Sequence, residues 1–101
     1  MITDSPHKHG ASALLAAPLT LCGKQIHNRI VVPPISDFGV VSPEGRVTAR
    51  HMERYAAFAA GGAGLVILEA CSVLRMKENR DTLFLEHDDC IGGMKWLAAG
   101  I

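Results

Sequence analysis

Ser36 is the side chain best placed to do chemistry. It closes the stretch Asn28-Arg29-Ile30-Val31-Val32-Pro33-Pro34-Ile35-Ser36. That stretch opens on a polar pair, runs through three β-branched residues and is stopped by two prolines. Val and Ile suit a pleated, buried backbone. Proline donates no ladder hydrogen bond, so Pro33 and Pro34 mark a strand's end. Ile35 and Ser36 then emerge at the carboxyl end, where α/β folds bind ligands. A hydroxyl and several backbone groups are presented there. Read without chemistry, the same residues are a buried strand and a stiff turn.

The other reactive side chains are scattered. His51 stands in the first turn of a predicted helix. It is either a ligand contact from below the site or, the favoured reading, a helix-start residue bonded to a neighbouring loop. His7 and His9 alternate in a polar terminal segment, with no third metal ligand close in sequence. Cys22, Cys71 and Cys90 are far apart and odd in number, without a Cys-x-x-Cys pair. This argues for free thiols in a reducing compartment, not for a disulfide framework or a zinc site. No metal ligands are assigned.

These side chains must be positioned by a βαβ arrangement. Residues 1–13 read as a loose tail. Leu19-Thr20-Leu21 and the run around Ile26 flank Cys22-Gly23-Lys24, a small hairpin with Gly23 in its turn. A first strand follows from about residue 30, then a turn at Ser42-Pro43-Glu44-Gly45. Thr48 suits a helix N-cap. Met52, Tyr55, Ala56 and Ala59 form an apolar stripe of helical period, with Arg50, Glu53 and Arg54 on other faces. Gly61-Gly62 ends the helix. Gly64 to Ala70 is a second strand, apolar on both alternating sets up to Glu69, as in a strand buried on both faces. Strand, helix, strand implies a parallel crossover. Cys71 to Glu86 reads as a long polar loop at the carboxyl end of that strand, either functional or simply solvated. Asp88-Asp89 would cap a last helix through Ile91, Met94, Trp96 and Leu97.

Composition excludes some functions. Ten basic residues balance ten acidic ones, so no long-range field recruits nucleic acid. No secretory signal pattern opens the chain. No apolar run reaches the about 18 residues that spanning a bilayer takes. A cytoplasmic location is expected. Two parallel strands and two helices do not close a core, so residues 14–101 read as the front part of a larger βα repeat. A closed barrel of that kind takes eight strands and about 250 residues.

The segments Pro18-Leu19, Gly23, Asn28 to Ser36, His51-x-x-x-Tyr55, Ala60 to Ala70 and Asp88-Asp89-x-Ile91 to Leu97 together resemble the opening of the old yellow enzyme family, the NADH:flavin oxidoreductases. The resemblance covers about residues 14–101. It implies the N-terminal part of a (β/α)8 TIM barrel that holds FMN at the carboxyl ends of its strands, with the hairpin plugging the opposite end. It implies that Pro34 and Ile35 line the flavin ring, that Ser36 sits near N5 and O4, and that Ala70 is a small residue where backbone approaches the ring. Relatives mostly carry Thr or Cys at the position of Ser36, so redox tuning would differ. Phe38 would contact substrate by stacking alone, where some relatives carry a Tyr. The implied chemistry is hydride transfer from NAD(P)H through the flavin to an electron-poor alkene. The substrate-gripping pair, proton donor and phosphate site would lie beyond residue 101, so no catalytic residue is assigned and a fragment of this kind would be inactive alone. The cysteines do not match an iron–sulfur cluster motif. Two other readings stand beside this one. One is a non-catalytic truncated product or half-barrel that binds a partner through exposed strand edges; the other is a different phosphate-binding βα barrel.

Overall fold

The computed structural model describes residues 12–37, 41–76 and 81–101. Most of the predicted 1–13 tail therefore lies outside the described residues, as does Phe38. A helical turn over residues 12–16 leads into β1 (Leu19–Leu21) and β2 (Lys24–Ile26). These two pair antiparallel, with Leu19 opposite Ile26 and Leu21 opposite Lys24. Their two-residue turn needs positive φ at both positions, as such tight hairpins do. Gly23 takes φ 76° freely, whereas Cys22 takes φ 49° against the steric preference of a side chain.

β3 (Val31–Val32) and β4 (Leu65–Val66) pair in parallel, Val31 beside Leu65 and Val32 beside Val66. Helix α1 (Ala49–Ala60) makes the crossover. The ladder is shorter than the predicted Gly64–Ala70 strand. Its last bond runs from the Ile67 N–H to the Val32 carbonyl at 3.0 Å. Pro33 and Pro34 then offer no further donors, so the prolines stop both strands. The strand was also expected to be buried on both faces. Ile67 is 41% exposed, because β3 is the one strand beside β4 among the described residues.

α1 starts as its sequence dictates. Thr48 is the N-cap and forms a reciprocal capping box with His51. Tyr55, from the predicted apolar stripe, is 1% exposed. The Gly61 N–H bonds back to the Ala57 carbonyl, and Gly62 turns the chain out at φ 98°.

The region predicted as a long polar loop, residues 71–86, departs from that expectation. β5 (Cys71–Ser72) and β6 (Leu83–Phe84) form a further parallel pair, closed by a 2.7 Å bond between the Ser72 and Thr82 hydroxyls. Leu83 and Phe84 are buried, and the Phe84 N–H donates to the Gly45 carbonyl at 3.0 Å. Apolar burial thus ties this segment to the turn before α1. A single turn of 3₁₀ helix, Asp88–Cys90, then enters α2 (Ile91–Gly100). His87, not an aspartate, is the cap residue of that turn, and the Asp89 carboxylate pairs with Arg46 instead. The described core gathers Tyr55, Leu83, Phe84 and Leu97.

Candidate functional site

The prolines that end β3 leave two strand tips side by side. Carrying the register forward by count sets Pro34 level with Leu68 and Ser36 level with Ala70. Pro34, Ile35 and Ala70 are exposed, Ile35 by 56%, and Ser36 is half-buried. The tips thus carry exposed apolar surface with one hydroxyl beside it. Small Ala70 leaves its backbone accessible.

The β3–β4 ladder has ended before either tip, although Ala70 leads directly into β5. Side chains from α1 tie both tips. Arg54 Nη2 donates to the Ile35 carbonyl at 3.2 Å, and Nη1 stands 3.6 Å from Asp37 Oδ2. The Arg54 guanidinium also lies over the Tyr55 and Phe58 rings, at 5.8 and 5.9 Å. Tyr55 Oη accepts from the Glu69 N–H at 2.9 Å and donates to Glu69 Oε1 at 3.1 Å. Glu69 is therefore buried, at 2% exposure, inside a strand that is otherwise apolar.

His51 completes this cluster. It is fully buried. The Thr48 N–H donates to Nδ1 at 3.0 Å, so Nδ1 carries the lone pair and the ring proton sits on Nε2. Nε2 faces Glu69 Oε1 across a long 3.4 Å. Glu69 Oε2 has no hydrogen-bond partner among the described residues. The expected bond to a neighbouring loop is thus replaced by bonds within the helix start: His51 bonds its own cap and faces the carboxylate of the next strand.

The cluster shifts its neighbours. Burial pushes the Tyr55 hydroxyl above its ordinary value, and the adjacent Glu69 charge adds to this. Burial likewise raises the Cys71 thiol, with Glu69 and Cys90 contributing, and Cys71 Sγ donates to the Glu69 carbonyl at 3.4 Å. At the far side, the Arg46 guanidinium holds the exposed Asp89 carboxyl below its usual value. Among the described residues no three metal-ligating side chains come together.

Sequence reasoning named the tips but missed what holds them. The helical pattern places Arg54 off the apolar stripe and Tyr55 within it, without naming a partner for either. The available signal was Glu69, one carboxylate in an apolar run, which must find a buried partner. Between β4 and α2 lies an apolar recess of about 320 Å³ lined by Val66, Leu68, Met94, Leu97, Ala98 and Ile101. No described helix is long and apolar enough to cross a membrane.

No family model matches the chain. Curated relatives do. An NADPH dehydrogenase of Listeria monocytogenes is 36% identical over 77 residues, which is 75% of this chain and 23% of that protein. An NADPH dehydrogenase of a Geobacillus species is 33% identical, over 85% of this chain and 26% of that protein. Over the stretch it spans, the chain is similar to these NADPH dehydrogenases. A metal reductase of Desulforamulus reducens is 32% identical over 88% of this chain and 13% of its own length. A solved 2-naphthoyl-CoA reductase superposes with a TM-score of 0.77 at 23% identity, over 87% of this chain and 14% of that one. That likeness shows the fold. The chain spans about a quarter of the NADPH dehydrogenases. Its homologues are oxidoreductases, and the old yellow enzyme resemblance read from its motifs holds.

Proposed function

We propose that this chain supplies the N-terminal hairpin and first two βα units of an FMN-binding TIM barrel, in an NAD(P)H:flavin oxidoreductase of the ene-reductase type. One observation carries this reading. The parallel pairing of β3 and β4 across α1, carried forward by count past its last bond, brings Ser36 level with Ala70, with Pro34, Ile35 and Ala70 exposed and Ser36 half-buried beside them. A planar ring with an apolar face and a polar edge fits that donor set. Pro34 and Ile35 offer the apolar surface, Ser36 offers a hydroxyl donor, and Ala70 adds no side chain that would obstruct a ring. Phe38 would stack on substrate. Bound FMN supplies hydride transfer from NAD(P)H to an electron-poor alkene. The residues of this chain bind and orient; they supply no proton donor. The protein is read as working in the cytoplasm.

The test is expression of the protein from its complete reading frame. The expected product is yellow, holds FMN near one per chain, and oxidises NADPH when an electron-poor alkene is added. Ser36→Ala should slow flavin reduction more than it weakens FMN retention; equal loss of both would remove Ser36 from a tuning role. Residues 1–101 on their own should be colourless. A complete product that binds no FMN refutes the reading and favours the partner-binding half-barrel, to which the open edge of β4 is suited.

A further inference from the structure

We propose that Arg54 and Tyr55 are positioning residues that set the span between the two strand tips, and so the seat of the ring; this rests on the flavin reading above. The β3–β4 ladder does not set that span, because its last bond is Ile67 to Val32, before either tip. The second tip runs on into β5, with Cys71 Sγ bonded to the Glu69 carbonyl; the side chains that tie both tips to one rigid element are two consecutive residues of α1. Neighbouring helical residues point about 100° apart, so one can reach each strand.

Arg54 takes the first tip through the Ile35 carbonyl and the Asp37 carboxylate. Stacking on Tyr55 and Phe58 holds its guanidinium in place. Tyr55 takes the second tip through both the N–H and the carboxylate of Glu69. That carboxylate in turn faces His51, which is locked to the first turn of the same helix by its bond from Thr48. Ala70 follows Glu69 directly, so its backbone moves with the Glu69 amide. A helix is rigid over two residues, which makes it a fixed ruler between the tips. A ring laid across Ile35 and Ala70 feels any change in that ruler.

The experiment uses the complete-reading-frame protein, freed of flavin and titrated with FMN by fluorescence quenching, with visible spectra of the reloaded protein. Arg54→Gln and Tyr55→Phe each remove one prong; Arg50→Gln, on an exposed position of the same helix, is the control. Each prong variant should lose about tenfold in FMN affinity and shift the bound flavin's absorption maximum, which a loss of global stability alone would not do. The control should match wild type. If Tyr55→Phe fails to fold, Arg54→Gln decides, since its side chain is partly exposed where Tyr55 is buried. Prong variants with unchanged affinity and spectrum overturn the proposal and leave the flavin reading standing. A wild-type protein that takes up no FMN overturns the flavin reading, and the ring-seating role with it.

Discussion

Removing one oxygen, in Tyr55→Phe, should cost this protein about 2–4 kcal/mol of stability. The ring is 1% exposed, so no solvent replaces the lost hydroxyl. Two partners on one residue lose it together. The Glu69 N–H, 2.9 Å away, is left without an acceptor, which costs about 1–3 kcal/mol in a buried site. The Glu69 carboxylate, 3.1 Å away, loses a donor, and a hydrogen bond to a charged group is worth about 1.5–3 kcal/mol. The two losses overlap, because both fall on Glu69, so they do not add in full. The remaining donor, His51 Nε2, is 3.4 Å from the same oxygen and cannot replace a 3.1 Å bond. Domains are stable by about 5–15 kcal/mol, so this is a large fraction. Urea unfolding should show a lower midpoint at unchanged slope. In a cycle with Glu69→Gln, the double variant should cost about 1–2 kcal/mol less than the sum of the singles. Additive losses, or a Tyr55→Phe cost under about 0.5 kcal/mol, would mean the buried bonds contribute nothing and the latch is an accident of packing.

Stability should also fall at alkaline pH. The folded-state value of Tyr55 is raised by burial, so its contribution is complete below the ordinary tyrosine value of about 10 and is lost as pH rises past it; Tyr55→Phe should flatten that limb in melts followed across pH. The reverse sign holds for Asp89, whose value is lowered by Arg46: its contribution is present above the usual carboxylate value of about 4 and fades as pH falls, and Asp89→Asn should remove that slope. Alkylation at neutral pH followed by mass spectrometry should label exposed Cys22 well before Cys71, whose thiol is raised by burial; equal rates would contradict its environment. Gly45→Ala should destabilise by about 2–4 kcal/mol: Gly45 holds φ 74°, and a Cβ there would stand 1.9 Å from the Phe84 ring. A denaturation midpoint within error of wild type would show that β6 packs differently against this turn.

The elements that read well from the chain are those with a local signature. Thr48 as N-cap, the stripe through Tyr55 and the Gly61-Gly62 stop predict α1, and it runs Ala49–Ala60. Two prolines predict where β3 ends. The β5 and β6 pair did not read, because two residues per strand carry no period. Their register comes from Leu83 and Phe84 burying against the Gly45 turn, a contact about forty residues away in sequence. The aspartates read as caps by charge alone, but Arg46 offers Asp89 a full positive charge, where a helix end offers only a partial one. The strand tip was legible for the same reason as β3: the proline pair ends the ladder and leaves Ile35 exposed and Ser36 half-buried just beyond it. The supports of the tip were not. Tyr55 and Glu69 are 14 residues apart on different elements, and Arg54 is 19 residues from Ile35. Only the crossover brings either pair together.

That division has a physical root. A strand tip that receives a ligand must leave its own backbone groups unpaired, so the sheet cannot also define its position. Some other element must do so, and it must be rigid and buried on one side. α1 meets both conditions, as a 12-residue helix with Tyr55 and His51 packed beneath it. The cost is a carboxylate inside the fold, with one oxygen still unpartnered. A structure selected for stability alone would carry an apolar residue at position 69, since burying a charge is unfavourable and an apolar replacement often is not. On the proposed flavin reading, the presence of Glu69 there, spent on one tyrosine hydroxyl and one histidine, is accounted for by what it fixes: the backbone of Ala70, one residue further on, at the edge where that reading seats the ring.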